Sequence, residues 1–214
     1  MTKVLCDISA LRYYRTPPRY FYALPPIPDF DTPYGRGRLR QSPVATRIIG
    51  IPIHALSFGH DRLTSTLVKQ HLWSKDLPAG AIVDTPFDVA VTSPLLTLLM
   101  LSTHLDPIDT ALLIYEFTGL FSLYSPSKEM DDAICQSVKQ GEFERLDSWR
   151  RITSAQGKPT DLWVRKPLLE IDDIHHILDA GKGMRGRNRL AKAMRYVTGK
   201  VAAAFEEKHC SDNG

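Results

Sequence analysis

The chain has 214 residues, enough for one large domain or two small ones, and its 43% apolar and 9% aromatic content is ordinary for a globular protein. This composition excludes a chain too polar to form a core. The formal net charge is only +3, but residues 1–50 hold eight Lys or Arg against three Asp, and residues 181–200 hold seven Lys or Arg and no acid. A basic face built from both ends of the chain is therefore compatible with the sequence.

Cysteine usage and hydropathy indicate a cytoplasmic protein. Cys6, Cys135 and Cys210 are odd in number and far apart, with no Cys-x-x-Cys pair, so neither a disulfide framework nor a zinc site is indicated. The first residues lack the apolar run of a signal peptide, and no uncharged stretch reaches the ~20 residues that a membrane helix needs. We therefore expect a reducing compartment and no membrane partner.

The chain is predicted to begin with a short strand and a short helix. Lys3–Cys6 can form the strand. Asp7 or Ser9 can cap the helix, which is predicted to end at Tyr14 because a Pro-Pro pair follows.

Residues 15–41 alternate arginine with aromatic residues among proline and glycine, which predicts an extended arm that completes an N-terminal segment over residues 1–43. This pattern is typical of a nucleic-acid groove, because guanidinium groups bind phosphate and aromatic rings stack on bases. The alternative is that the aromatic side chains hold the arm against its own domain while the arginines stay solvated. The arginines expected to contact nucleic acid here are Arg12, Arg15, Arg19, Arg36, Arg38 and Arg40.

Residues 44–124 are predicted to form a central segment of short strands followed by a helical hairpin. After a helical turn at Val44–Ile49, the predicted strands are Ile51–Phe58, Thr66–Trp73, Ala81–Thr85 and Phe87–Val91. Short, closely spaced strands favour antiparallel pairing. The expected fold class is α+β, with a small, mostly antiparallel sheet packed on a buried helical hairpin and a basic C-terminal helix.

The predicted hairpin covers residues 93–119 and carries its own start and stop signals. Ser93 is a predicted N-cap with Pro94 at the first helical position, and Asp106 with its following proline repeats the pattern. Leucines cover almost the whole circumference of the first helix, as in a buried helix. Gly119 is predicted to end the second helix.

The last segment, residues 125–214, is predicted to hold one or two surface helices with a loop and then two more helices. Residues 125–158 are polar and rather acidic. A helix is predicted over Asp172–Leu178 and an amphipathic, basic one over Asn188–Lys208, with a basic turn between them. These elements can contact phosphates or form a solvated outer face. The cations expected to contact nucleic acid here are Lys182, Arg185, Arg187, Arg189, Lys192 and Arg195.

No complete active site can be assembled from the sequence, so we expect no catalytic residue, no metal ligand and no cofactor. His71, in a predicted strand, and His104 are expected to be structural. His175 and His176 are neighbours on a predicted helix and point in different directions, which makes them a poor metal pair. The string Glu206-Glu207-Lys208 is nearest to a nuclease Glu-x-Lys, but no strand with a partner acid accompanies it.

Several short segments share a pattern with a known family of proteins. They are Ile8–Pro18, His71–Trp73, Leu77–Gly80, Val91–Leu99, Tyr115–Gly119, Gly183–Gly186 and Ala193–Val197. Together they resemble actinobacterial proteins related to AbiEi-type antitoxins, in which such a region precedes an endonuclease domain similar to the very-short-patch repair enzymes. Those proteins continue with Ser-Pro-x-Glu into the nuclease, whereas this chain has Ala203–Glu206, which keeps the glutamate but lacks the proline and the nuclease core.

The resemblance implies a non-enzymatic, antitoxin- or regulator-like domain of a defence-type system that contacts DNA or RNA mainly through phosphates. No compact recognition helix is apparent, so modest sequence preference is expected. Two alternatives stay open. One is a protein-interaction module that binds a toxin or a second copy of the chain, and the other is the remnant of a nuclease, or one completed by a partner, that uses Glu206.

Overall fold

The computed structural model of the chain describes residues 4–58, 65–74, 76–128 and 149–197. It has two compact units. Unit 1 comprises Met1–Ser93 and Tyr124–Asp147, and unit 2 comprises Pro94–Leu123 and Ser148–Gly214. The segment boundaries at residues 43 and 124 stay a prediction. No helix within the described ranges has both the length and the apolar character that crossing a membrane requires.

Unit 1 contains a five-stranded mixed sheet. Its strands are β1 (Val4–Leu5), β2 (Ile53–Ser57), β3 (Val68–Leu72), β4 (Ile82–Asp84) and β5 (Ala90–Thr92), in the order β3-β2-β1-β5-β4. β1 pairs antiparallel with β2 and parallel with β5, β2 pairs parallel with β3, and β4 pairs antiparallel with β5. The α+β class is confirmed, and the sheet is evenly mixed where mostly antiparallel pairing was expected.

The arginine- and aromatic-rich segment is folded, and the prediction of an extended arm is wrong. It follows α1 (Asp7–Tyr14) and forms α2 (Pro18–Tyr22), α3 (Pro33–Arg38) and a 3-10 turn (Leu39–Gln41), before a π-helical turn (Val44–Ile49). Proline occupies the first position of α2 and of α3, where its missing N–H leaves no helical hydrogen bond unmade.

The core of unit 1 joins this segment to the sheet. Tyr20, Phe30 and Leu39 are at most 1% exposed and pack in one cluster with Ile53 of β2 and Val91 of β5. Burying one large apolar side chain stabilises a fold by roughly 1.5–3 kcal/mol, so the aromatic residues hold the segment in place. The hairpin on which the sheet was expected to pack lies in unit 2 from Pro94 onwards, and the packing of the sheet on it stays a prediction.

Unit 2 is mainly helical. Its helices are α4 (Pro94–Leu101), α5 (Pro107–Phe117), α6 (Ile171–Ala180) and α7 (Arg187–Ala193), and a 3-10 turn (Met194–Tyr196) follows α7. α4 packs against α6, and α5 packs against both α4 and α7.

The helical hairpin of α4 and α5 is as predicted. The Asp106 carboxylate caps α5 by accepting from the backbone amides of Ile108 and Asp109, both at 2.8 Å. Leu98, Leu99 and the other residues at the C-terminal end of α4 are buried. Gly119, with φ of 96°, follows α5 in the left-handed conformation that ends helices.

A second, three-stranded sheet was missed by the sequence analysis. Its strands are β6 (Leu123–Tyr124), β7 (Trp149–Thr153) and β8 (Pro159–Arg165), in the order β6-β8-β7. β7 pairs antiparallel with β8, and the division between the two units falls within β6. These strands are rich in charged and hydroxyl side chains and lie beside an acidic stretch. Their polar composition concealed them.

The predicted C-terminal helices are partly observed. α6 contains the predicted Asp172–Leu178 helix and begins with a reciprocal capping box between Glu170 and Asp173. α7 starts at Arg187, one residue before the prediction, but it ends at Ala193, where a 3-10 turn begins, and Val197 is extended. The prediction of one continuous α-helix is therefore wrong at this point. The later part of the predicted Asn188–Lys208 helix, with Glu206, lies outside the described residues, as does most of the region for which surface helices were predicted.

Candidate functional site

Three side chains able to bind a metal ion, Asp7, His54 and His71, lie together in unit 1. Asp7 follows β1 and begins α1, while His54 lies in β2 and His71 in β3. The Cys6 amide donates to the His54 carbonyl at 2.9 Å, which aligns the end of β1 with β2. In the parallel pairing of β2 with β3, His71 lies opposite Leu56, which is two residues from His54. Alternate residues of a strand face the same side of a sheet, so the side chains of His54 and His71 point to the same face.

The distances within this Asp-His-His cluster are short. His54 Nδ1 lies 3.0 Å from His71 Nε2 and 3.5 Å from Asp7 Oδ1, and His71 Nδ1 lies 3.8 Å from Asp7 Oδ2. The exposed fraction of the side chain is 2% for Asp7, 12% for His54 and 22% for His71. The cluster is therefore buried at the carboxylate and opens to solvent at the histidines.

Local backbone structure fixes the carboxylate of Asp7. Its φ of 52° is in the left-handed region, which aspartate tolerates better than most residues. Asp7 Oδ1 accepts from the Ile8 amide at 2.7 Å, and the His54 amide donates to Ser9 Oγ at 2.9 Å, which ties α1 to β2. Burial, and then the charge of Asp7, raise the pKa of the Cys6 thiol, so this thiol stays neutral beside the cluster.

Sequence reasoning missed this cluster. It assigned Asp7 to a helix cap and His71 to a structural role, and it expected no metal ligand. The available signal was that a predicted strand precedes Asp7 and that His54 and His71 lie in two other predicted strands. The composition of β1, β2 and β3 does not show that these strands, which are distant in the sequence, pair with one another.

Two of the six N-terminal arginines, Arg12 and Arg36, donate hydrogen bonds to backbone carbonyls of unit 1. Arg12 donates to the Ile49 carbonyl at 3.1 Å and lies against Gly50, which has no side chain to obstruct it. Arg36 donates to the carbonyls of Phe30 and Asp31 at 3.1 and 2.8 Å.

The remaining N-terminal arginines differ in exposure. Arg19 is 8% exposed, so it offers little surface to a ligand. Arg15, Arg38 and Arg40 are exposed, and the Arg38 guanidinium lies 5.7 Å from the centroid of the Tyr34 ring. Arg12 is exposed as well, so four of the six are surface cations of unit 1.

The six C-terminal cations lie on α7 and its flanking turns in unit 2. Arg187 donates to the Leu178 carbonyl and Arg189 to the Thr103 carbonyl, each at 2.6 Å, so these two side chains attach the turn to neighbouring elements. The exposed members are Lys182, Arg185, Arg189, Lys192 and Arg195. We refer to these five as the basic surface of unit 2.

The twelve predicted cations are thus divided between the two units, six in each. The expectation that the two groups form one shared face stays a prediction.

Unit 1 also has an apolar cavity of ≈ 190 Å³. Phe21, Tyr22, Ile27, Phe87 and Val89 are among its lining residues. A cavity with this lining can hold a small apolar group, but its lining residues do not include an acid paired with a base.

The chain matches no protein-family model, no curated protein and no solved structure. The AbiEi-like resemblance therefore stays an expectation from short sequence segments.

Proposed function

We propose that this protein is a non-enzymatic, cytoplasmic, antitoxin- or regulator-like domain of a defence-type system that contacts nucleic acid mainly through phosphates. The basic surface of unit 2 is the main contact. The observation that carries the proposal is the presence of five exposed cations between residues 182 and 195, with no acid from residue 181 to residue 197.

The surroundings favour an anion at this surface. Within the described part of the chain, Lys182, Arg185, Lys192 and Arg195 form no ion pair. Asp172 and Asp173 lie in the first turn of α6, roughly 12 Å along the helix axis from its end at the basic turn. Asp179 is the nearest acid in sequence, so the cations outnumber the acids at this end of the helix.

Phosphate contact of this kind has a defined salt dependence. Each phosphate neutralised on duplex DNA contributes a slope of about −0.9 to the logarithm of the binding constant against the logarithm of salt concentration. Five contacts correspond to a slope of about −4.5, or roughly a 500-fold loss of affinity from about 50 to about 200 mM salt.

The direct test is fluorescence anisotropy with a short labelled duplex, and with RNA of the same length, at rising salt. We expect the double variant Lys192→Gln/Arg195→Gln to reduce the magnitude of the slope by about 1.8, because two phosphate contacts are lost. The control is Lys158→Gln/Lys166→Gln, which removes two exposed cations of unit 2 outside the basic surface. Absence of binding at low salt, or equal slopes for both double variants, would refute the proposal.

The N-terminal cations are tested separately. If exposed arginines of unit 1 also contact the nucleic acid, Arg38→Gln/Arg40→Gln lowers the slope by a similar amount and adds to the effect of the unit 2 variant. If unit 2 acts alone, the Arg38/Arg40 variant binds as the wild type does. The two results distinguish nucleic-acid binding by the cations of both units from binding by the basic surface of unit 2 alone.

A second candidate function, binding to a protein partner, has an observation of its own. Ile108 and Leu112 lie four residues apart on α5 and are 60% and 48% exposed. Apolar side chains at this spacing form one stripe on a helix, and exposed apolar stripes mark protein interfaces. A second copy of the chain is the simplest partner. Light scattering that shows a dimer in the wild type and a monomer in Leu112→Glu would support this function.

A further inference from the structure

We propose that Asp7, His54 and His71 bind a divalent first-row transition metal ion, with Zn²⁺ as the simplest occupant. This inference does not depend on nucleic-acid binding, because it rests on residues of unit 1 outside the basic surface of unit 2.

The donor set selects the class of ion. Two imidazole nitrogens and one carboxylate oxygen suit zinc and its first-row neighbours, whereas Mg²⁺ and Ca²⁺ prefer oxygen ligands alone. Zinc is commonly four-coordinate, so three protein ligands leave one position for water or another small ligand. His54 and His71 are open enough to solvent for that position to be reached.

The distances fit a shared ion. Metal–ligand bonds of about 2.0–2.1 Å at tetrahedral angles place the ligand atoms about 3.3–3.4 Å apart. His54 Nδ1 is 3.0 Å from His71 Nε2 and 3.5 Å from Asp7 Oδ1, and one ligand atom from each residue lies within 4.8 Å of the others. Small side-chain rotations therefore bring all three to one ion.

The close approach of the two imidazole nitrogens, His54 Nδ1 and His71 Nε2, also favours a bound cation. Two unprotonated nitrogens facing each other at 3.0 Å would repel through their lone pairs, so this arrangement needs a proton or a cation between them. A metal ion satisfies both nitrogens and the nearby carboxylate together. Lys69 lies opposite His54 in the register, so it shares this face of the sheet. Its side chain is exposed, so its ammonium group can extend into water, away from the bound ion.

The backbone holds the ligands independently of any ion. Asp7 is held by its left-handed conformation and by the bond from the Ile8 amide, and His54 and His71 lie on paired strands. Such a site needs little reorganisation to bind. The competing explanation is a hydrogen-bonded cluster that only stabilises unit 1.

The experiment uses the full chain after chelator treatment and dialysis. Calorimetric titration with ZnCl₂ gives affinity and stoichiometry, and the d–d absorption of Co²⁺ reports coordination by nitrogen and oxygen. The ligand variants are Asp7→Asn, His54→Gln and His71→Gln. Asn tolerates the left-handed conformation at position 7, so Asp7→Asn removes the charge while keeping the shape. The matched control is His104→Gln, an exposed histidine of unit 2.

We expect one tight Zn²⁺ per chain and a tetrahedral Co²⁺ spectrum in the wild type and in His104→Gln. Each ligand variant should weaken Zn²⁺ binding by more than about tenfold, since even an outer partner of a metal ligand contributes that much. The proposal is overturned if the wild type binds Zn²⁺ only weakly and without stoichiometry, or if the ligand variants bind as the wild type does. Circular dichroism identifies any variant that fails to fold, and the wild-type titration decides the question by itself.

Discussion

At the scale of single residues, Gly186 shows how a missing side chain positions the basic surface. Its φ is 92°, and a Cβ atom there would collide with the Leu99 carbonyl of α4 and with Oγ of Ser102, which follows that helix. The Ser102 hydroxyl also donates to the Gly186 carbonyl at 3.0 Å. The backbone at position 186 can therefore approach α4 this closely only if the residue is glycine. This contact fixes the position at which α7 begins.

Replacing Gly186 by alanine should destabilise unit 2 by more than the conformational strain alone, which is about 1–2 kcal/mol. The matched control is Gly157→Ala, because Gly157 has a φ of 73° but open space around its Cα. Chemical denaturation measures the free energy of unfolding of both variants. Equal losses of stability would show that the contact with α4 has no effect.

At the scale of elements, a buried ion pair joins α5 to β8. Arg165 Nη2 lies 3.7 Å from Glu116 Oε1, and the two side chains are 1% and 5% exposed. The Arg165 guanidinium also lies 5.8 Å from the Phe117 ring and 5.9 Å from the Trp149 ring. The pair specifies how the second sheet packs on the helical hairpin.

Removing one partner weakens the compensation of a buried charge, so Glu116→Gln should lower the free energy of unfolding, by up to about 3–5 kcal/mol. Asp161→Asn is the control, since it breaks an exposed pair with Arg151 at 3.3 Å and should cost less than about 1 kcal/mol. Thermal or urea unfolding compares them. The double variant Glu116→Gln/Arg165→Met should be more stable than Glu116→Gln, and the opposite order would contradict this explanation.

The same scale explains which elements the sequence predicts. The boundaries of α4 and α5 follow from local signals, namely Pro94, the Asp106 cap and Gly119, and they were predicted closely. β7 and β8 depend on pairing between polar strands, with Arg165 buried by its partners, and no local pattern shows that. The Asp-His-His cluster was missed for the same reason, because it requires the register of three strands.

At the scale of the whole molecule, tyrosine ionisation links stability to alkaline pH. Burial raises the pKa of Tyr124 to about 12, and burial followed by the nearby Tyr22 raises that of Tyr13 to about 12. An unfolded chain releases these protons near pH 10, as free tyrosine does. The stabilisation from these neutral hydroxyls is complete below about pH 10 and is lost as the pH rises towards 12.

We therefore expect the free energy of unfolding to decline between about pH 10 and 12, with Tyr13 contributing up to about 1.4 kcal/mol per pH unit. Tyr13→Phe should make this decline shallower. Tyr34→Phe is the control, because Tyr34 is 76% exposed. Urea unfolding across this pH range measures both, and identical pH dependence in the two variants would refute the assignment.

The order of the chain in unit 2 has a consequence for synthesis on the ribosome. The leucine-rich hairpin of α4 and α5 is made before its packing partners, since Arg165 and α6 follow about 50 residues later and α7 about 70. At about 5–20 residues per second, the apolar surface of the nascent hairpin stays uncovered for roughly 3–14 s. Apolar surface exposed in this way promotes aggregation and attracts chaperones, so the risk is greatest until α6 and α7 have been made.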